Sequence, residues 1–395
     1  MWRDGSTRVA TRRRRTGSVP VGSAGLSASP GGHRADRSGA CPARRALTGR
    51  GARVRTLVKA PLVRPGDTIG VITPAWCGPA LFPHRLARGV SFLEGAGFPV
   101  ALAPHATGRN GDLAGTPAER AADIHALFAD PAIRAICTTI GGDHSCHLLP
   151  LLDWALIRAH PKVFLGYSDI TVLNVAMYAR AGLVTFNGPG LMTDLAEFPA
   201  PFPYTLDHLR RAVTTAAPIG AIRPAPAWTE EFLDWGTRAD LARPRVRRPS
   251  PGWTWLKGGR ASGPLLGGCL ESLQHLRGTP YWPDLAGALL FLETGEARST
   301  PAWVDAVLQD YENMGVFADL GGLLIGRPVG YTAAQRVALR AVVLERTRRY
   351  AFPIVSDMDF GHTVPQVTLP LGCRAVLDSA THTFAITEAA VVARA

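Results

Sequence analysis

From residue 68 onward, short apolar runs alternate with amphipathic stretches, and this alternation restricts the chain more than any other feature. Segment 68–73 (TIGVIT) reads as a buried strand, and 84–96 as a helix closed by Gly97. Strand 99–103, helix 117–129, strand 133–139, helix 146–153, strand 162–167, helix 170–181 and strand 183–186 follow. Strands spaced by helix-length segments imply βαβ units and a parallel sheet. Such crossovers are right-handed, and ligands sit at the carboxyl ends of the strands.

The pattern breaks over residues 198–262, which are rich in Pro, Arg and Trp, including Pro199, Pro201, Pro203, Pro244, Pro249 and Pro251. A linker with a loop of this length points to function more than to idle connection. Beyond it, strands are predicted at 287–292, 321–325, 352–355, 373–378 and 382–387, with helices near 270–277, 301–313 and 333–348. No internal repeat is present. The expected class is α/β: an N-terminal Rossmann-like parallel-sheet domain (57–200), a linker and Trp-containing loop (201–262), and a β-rich α/β C-terminal domain (263–395).

The formal charge of +12 suggests a nucleic-acid partner until it is located. Thirteen Arg against Asp4 and Asp36 in residues 1–56 supply about +11 of it, leaving the remainder near neutral. This stretch is also rich in Gly, Ser, Pro and Ala, so it is expected to be a disordered tail. Arg12–Arg15 could open an export signal, but no apolar segment follows. No apolar run is long enough for a membrane helix. The six Cys (41, 77, 137, 146, 269 and 373) contain no C-x-x-C pair, which favours reduced thiols and a cytoplasmic setting over a disulfide scaffold.

The first chemical candidate is Ser168, in Gly166-Tyr167-Ser168-Asp169-Ile170. An apolar strand runs into it and a helical pattern starts directly after it. That is the setting of a nucleophile elbow, although the G-x-S-x-G spacing is missing. The following helix would turn free N–H groups toward an oxyanion formed there. Ser168 would equally suit a plain N-cap of helix 170–181. The loop Gly141-Gly142-Asp143-His144-Ser145 ends the preceding strand, and its glycines allow close backbone approach to a substrate. Asp143, His144, Cys146 and His147 are rich in metal-ligand types, but neighbours on one turn rarely converge on a single ion, and no metal is expected.

A serine nucleophile requires a base, and the base requires a carboxylate to fix its tautomer. Of eleven His, His362 in Asp359-Phe360-Gly361-His362 lies in a glycine-flanked loop after a predicted strand. Glu293 closes the apolar run 288–292, with Glu296, Asp357 and Asp359 as rivals.

Together these segments resemble the LD-carboxypeptidases, which remove the terminal D-alanine of murein tetrapeptides. The likeness runs from residue 62 to the end. It rests on Arg64-Pro65-Gly66-Asp67-Thr68-Ile69, Gly141-Gly142, Gly166-Tyr167-Ser168-Asp169, Thr185-Phe186-Asn187-Gly188-Pro189, Gly278-Thr279-Pro280-Tyr281, Leu292-Glu293, Gly361-His362 and Leu369-Pro370-Leu371-Gly372. Several short motifs in order are more specific than any one alone. The resemblance implies a Ser168–Glu293–His362 triad, an oxyanion hole from the N–H groups of Gly142 and Asp169, no cofactor, and a possible homodimer. Within the family the chain is similar to the microcin C self-immunity branch. Members of that branch carry an extra loop and cleave an acyl group from a nucleotide-like phosphoramidate.

That loop holds Trp235, Trp253 and Trp255, which either stack on a nucleobase or pack the loop to the body. Two positions depart from the family pattern: Cys269 stands where Asn is usual, and Thr294 where Asp is usual. The expected partner is therefore a small peptide or an aminoacyl-nucleotide, not nucleic acid or membrane. A non-catalytic binding protein on the same fold is the remaining alternative.

Overall fold

In the computed structural model, which describes residues 56–295 and 299–394, the apolar runs become strands and the amphipathic stretches helices. The strands are β1 (Thr68–Ile72), β2 (Val100–Leu102), β3 (Ile133–Thr138), β4 (Val163–Leu165), β5 (Phe186–Asn187), β6 (Gly220–Ile222), β7 (Ala227–Trp228) and β8 (Arg248–Pro249). They continue as β9 (Thr254–Lys257), β10 (Arg260–Cys269), β11 (Leu289–Glu293), β12 (Gly322–Gly326), β13 (Ile354–Met358), β14 (Leu369–Pro370), β15 (Arg374–Asp378) and β16 (Thr383–Ile386). The Arg-rich stretch expected to be disordered lies outside the described residues, apart from Thr56.

The first sheet has the order β14-β5-β4-β3-β1-β2. β1 to β5 pair in parallel, as the βαβ pattern requires, and β14 adds antiparallel to β5 from far along the chain. The second sheet has the order β6-β16-β15-β10-β11-β12-β13-β9. Its middle, β10 to β13, is parallel and mostly apolar, with Glu293, Ser356 and Asp357 as buried polar exceptions near the strand ends, while the flanking pairs are antiparallel. The fold is thus mixed α/β with a parallel sheet and a second, β-rich sheet. Both β6 and β9 come from the stretch read as linker, and a helix over Pro203–Val213 lies there too.

Local chemistry explains several helix starts. Thr116 and Glu119 form a reciprocal capping box for helix Pro117–Ala129, and Thr332 with Gln335 does the same for Ala333–Arg346. The predicted helix 146–153 is instead a 3-10 turn over Ser145–Leu151, because Pro150 inside it has no N–H to donate.

The two sheets meet at the helix Thr171–Ala181. Its Thr171 hydroxyl accepts the Cys269 N–H at 2.9 Å. A Cβ on Gly268 would lie 2.4 Å from that Thr171 side chain, and Gly268 has φ +146, so only glycine lets the end of β10 come this close. This contact sets the carboxyl end of β10 and β11 against the carboxyl end of β4.

Candidate active site

Ser168 follows β4 directly and has φ 61, a left-handed conformation that costs a non-glycine residue about 1–2 kcal/mol. The helix after it begins at Thr171 with Ile170 as N-cap and no side-chain cap, so the Ser168 hydroxyl does not serve the helix end. It meets His362 instead: Ser168 Oγ lies 3.0 Å from Nε2 of His362. Nδ1 of the same ring lies 2.8 Å from Oε2 of Glu293. A carboxylate can only accept, so Nδ1 carries the proton, and Nε2 is left to accept from the serine hydroxyl.

Each of these groups is held by its surroundings. Glu293 ends β11, is buried, and contacts Gly361, where a Cβ would come within 2.7 Å of its Oε2. His362 stands four residues beyond the end of β13, with the Tyr167 ring 5.2 Å away in an edge-on arrangement. The rival acids are engaged elsewhere: Asp357 accepts from Arg340 at 2.7 Å, and Asp359 from Arg327 at 2.7 Å. Glu296 lies outside the described residues.

The Gly141–Ser145 loop covers the serine. A Cβ on Gly141 would lie 3.0 Å from Ser168 Oγ and 3.1 Å from the Asp169 nitrogen. The Asp169 carboxylate ties loop to elbow by accepting the N–H groups of His144 (3.0 Å) and Ser145 (2.8 Å). Burial raises its pKa, and the hydrogen bonds from Ser145 oppose that rise. Among the described residues, neither the Gly142 nor the Asp169 N–H has a protein acceptor.

Two models of known families match the chain: the LD-carboxypeptidase N-terminal domain over residues 69–188 and the LD-carboxypeptidase C-terminal domain over residues 262–377. This chain belongs to the LD-carboxypeptidase family. Its relatives include the putative carboxypeptidase YocD of Bacillus subtilis, 32% identical over 79% of this chain and 94% of that protein. The microcin C7 self-immunity protein MccF of Escherichia coli is 30% identical over 84% of this chain and 96% of its own. A probable murein peptide carboxypeptidase of Bacillus subtilis is 32% identical over 82% and 93%. Among solved structures, MccF in complex with aspartyl sulfamoyl adenosine superposes with a TM-score of 0.78 at 29% identity, covering 85% of this chain and 99% of that one. As a family member the chain is a hydrolase of the serine carboxypeptidase and amidase type.

Cys269 and Thr294, the two positions read in the sequence as unusual, sit beside Glu293. Cys269 pairs with Glu293 across β10 and β11, and its Sγ lies 3.3 Å from Oε2 of Glu271. Burial, with the charges of Glu293 and Glu271, raises its thiol pKa well above the ordinary value, so it stays a neutral thiol. Thr294 is buried with its hydroxyl unpartnered among the described residues. Sequence reasoning missed Glu271, which accepts from the Gly295 N–H at 2.9 Å; Gly295 also borders His362. Nothing in its sequence context sets it apart from an ordinary first-turn glutamate.

The three tryptophans divide. Trp253 donates its Nε1–H to Asp359 at 2.8 Å and packs on Phe384, while Trp255 stacks on His382 from β9. Both are only partly buried and have packing partners in the second sheet. Trp235 is placed differently. It meets Phe82 at 5.6 Å, and Phe82 meets Trp76 at 5.8 Å. Trp76 borders Gly142, so an aromatic row leads from Trp235 to the glycine pair whose other member, Gly141, borders the serine. Arg85 backs Trp235 at 4.6 Å.

Among the described residues no group of three or more His, Cys, Asp or Glu converges as a metal site. His144 and His147 meet edge to face with ring centres 5.2 Å apart. The described cysteines are free, and Cys41 lies outside the described residues. No helix among the described residues is long and apolar enough to cross a membrane.

Proposed function

We propose that the chain is a serine LD-carboxypeptidase that releases D-alanine from a murein tetrapeptide through Ser168, His362 and Glu293. The observation that carries this reading is the unbroken hydrogen-bond relay from Ser168 Oγ (3.0 Å) through the imidazole to Glu293 (2.8 Å). Its residues arrive from the carboxyl ends of strands in two different sheets, where α/β folds place their chemistry.

In the first step Ser168 Oγ attacks the carbonyl carbon of the terminal amide and His362 Nε2 takes the hydroxyl proton. Glu293 stabilises the imidazolium and keeps its proton on Nδ1. The new oxyanion turns toward the N–H groups of Gly142 and Asp169, and each such donor is worth about 3–4 kcal/mol in the transition state. The intermediate collapses, the C–N bond breaks, and His362 returns its proton to the departing D-alanine amine. Water then attacks the acyl-serine with His362 as base again, releasing the tripeptide acid and restoring the Ser168 hydroxyl.

A second substrate reading is favoured by one feature, the row Trp76–Phe82–Trp235 beginning at Gly142. Such rings suit a nucleobase beyond the scissile amide, and solved MccF structures hold adenosine monophosphate or aspartyl sulfamoyl adenosine. Incubation with murein tetrapeptide and, separately, with an aminoacyl-adenylate phosphoramidate separates the readings. D-alanine release alone supports the carboxypeptidase, adenylate cleavage alone supports the amidase, and silence on both overturns catalysis.

A further inference from the structure

Residues 189–261 fall between the two spans matched by the family models, yet part of this segment grips the loop that carries His362. Asp359, three residues before His362, is completely buried. Its Oδ1 accepts from Arg327 Nη1 at 2.7 Å, and Arg327 is only 2% exposed. Its Oδ2 accepts two donors from the segment: the Ala225 N–H at 2.9 Å and the Trp253 indole N–H at 2.8 Å. Two residues beyond His362, Val364 exchanges backbone hydrogen bonds with Thr229 at 2.8 and 3.0 Å. The histidine is thus bracketed on both sides by the intervening segment.

The segment is itself anchored. Arg327 lies over the Trp228 ring at 4.7 Å, and its Nη2 donates to Ser250 at 3.3 Å. Arg248 and Arg336 also stack on Trp228, and both pair with Glu230. A buried carboxylate that accepts from three donors, one of them a guanidinium, fixes a backbone far better than apolar contact does. Gly361 leaves no slack on the opposite side, because Glu293 lies directly against it.

We propose that the intervening segment 225–253 is a strap that positions His362, with Asp359 as the positioning residue and Trp253 as the donor that reports on it. The proposal rests on the triad reading above. Asp359 touches no reacting atom; it sets where the imidazole stands. A displacement of about 1 Å at such a group costs up to about 100-fold in rate.

Trp253→Phe tests this with the full chain. It keeps an aromatic ring against Phe384 and removes the N–H given to Asp359 together with part of the indole volume, which the thermal midpoint reports. The readouts are kcat per active serine, counted by titration with a fluorophosphonate, KM for the substrate hydrolysed, and the thermal midpoint. A fall in kcat per titrated site of about 5- to 50-fold, with KM within twofold, is expected. Asp359→Asn is expected to lose more, and Trp253→Phe decides the matter if that variant does not fold. A kcat within twofold of the unmodified protein overturns the strap, whether the thermal midpoint falls or KM rises. Ser168→Ala is measured beside it: retained hydrolysis there refutes the triad itself, whereas lost hydrolysis with an unaffected Trp253→Phe refutes only the strap.

Discussion

Gly361→Ala is a one-carbon perturbation aimed at the relay. Gly361 has φ +97, and an added Cβ would stand 2.7 Å from both Cβ and Oε2 of Glu293. Ordinary contact begins near 3.4 Å, so glutamate or loop must retreat by about 0.7 Å. Spent on the Glu293–His362 bond, that retreat stretches 2.8 Å to roughly 3.5 Å, beyond a useful hydrogen bond. The backbone conformation costs about 1–2 kcal/mol and the overpacking about 1–3 kcal/mol, so stability should fall by about 2–5 kcal/mol. Loss of the oriented imidazole should lower kcat by about 100-fold. Urea unfolding measures the first and D-alanine release per titrated serine the second. A folded Gly361→Ala protein with unchanged kcat per active serine would refute the claim that Glu293 orients His362.

Other outcomes follow from the same coordinates. Arg327→Met leaves the buried Asp359 charge unpaired and should cost about 3–5 kcal/mol in chemical denaturation. Glu231 is held down to about 2, first by the Arg243 hydrogen bond and then by the Val246 N–H. The stability it contributes is therefore present above its ordinary value of 4.5 and lost as pH falls toward 2. Because the pair is partly exposed, Glu231→Gln should differ from the parent by less than about 1 kcal/mol at neutral pH, and the two acid-denaturation curves should merge at the acid end. Trp235→Ala should raise KM for an aminoacyl-adenylate about tenfold and leave KM for a murein peptide unchanged; equal effects on both would remove the base-stacking role.

Much of the first sheet was legible because its strands are apolar on both faces and its helices carry their own stop signals. Gly97 ends one helix, and Thr116 starts another at the predicted residue. The second sheet was harder to read. β10 holds Gly263, Pro264, Gly267 and Gly268, residues that a local reading assigns to turns; they sit in a strand because its neighbours come too close for side chains. β13 was expected to stop at residue 355 but runs to Met358, since Ser356 and Asp357 are polar yet buried. β14 was invisible because two residues gain their meaning only from pairing with β5, far away in sequence. At the candidate site, Ser168, Glu293 and His362 could be named from strand ends and resemblance. The aromatic row could not, because Trp76 and Phe82 meet Trp235 only in three dimensions.

The central claim is that the Ser168 hydroxyl is the atom acylated during turnover. Acid-quenched reaction with murein tetrapeptide, followed by peptide mapping in a mass spectrometer, tests it directly. The account predicts a tripeptide ester on Ser168, absent from Ser168→Ala, which should release no D-alanine. Release of D-alanine by Ser168→Ala, or an acyl group mapped to any other side chain, would contradict it.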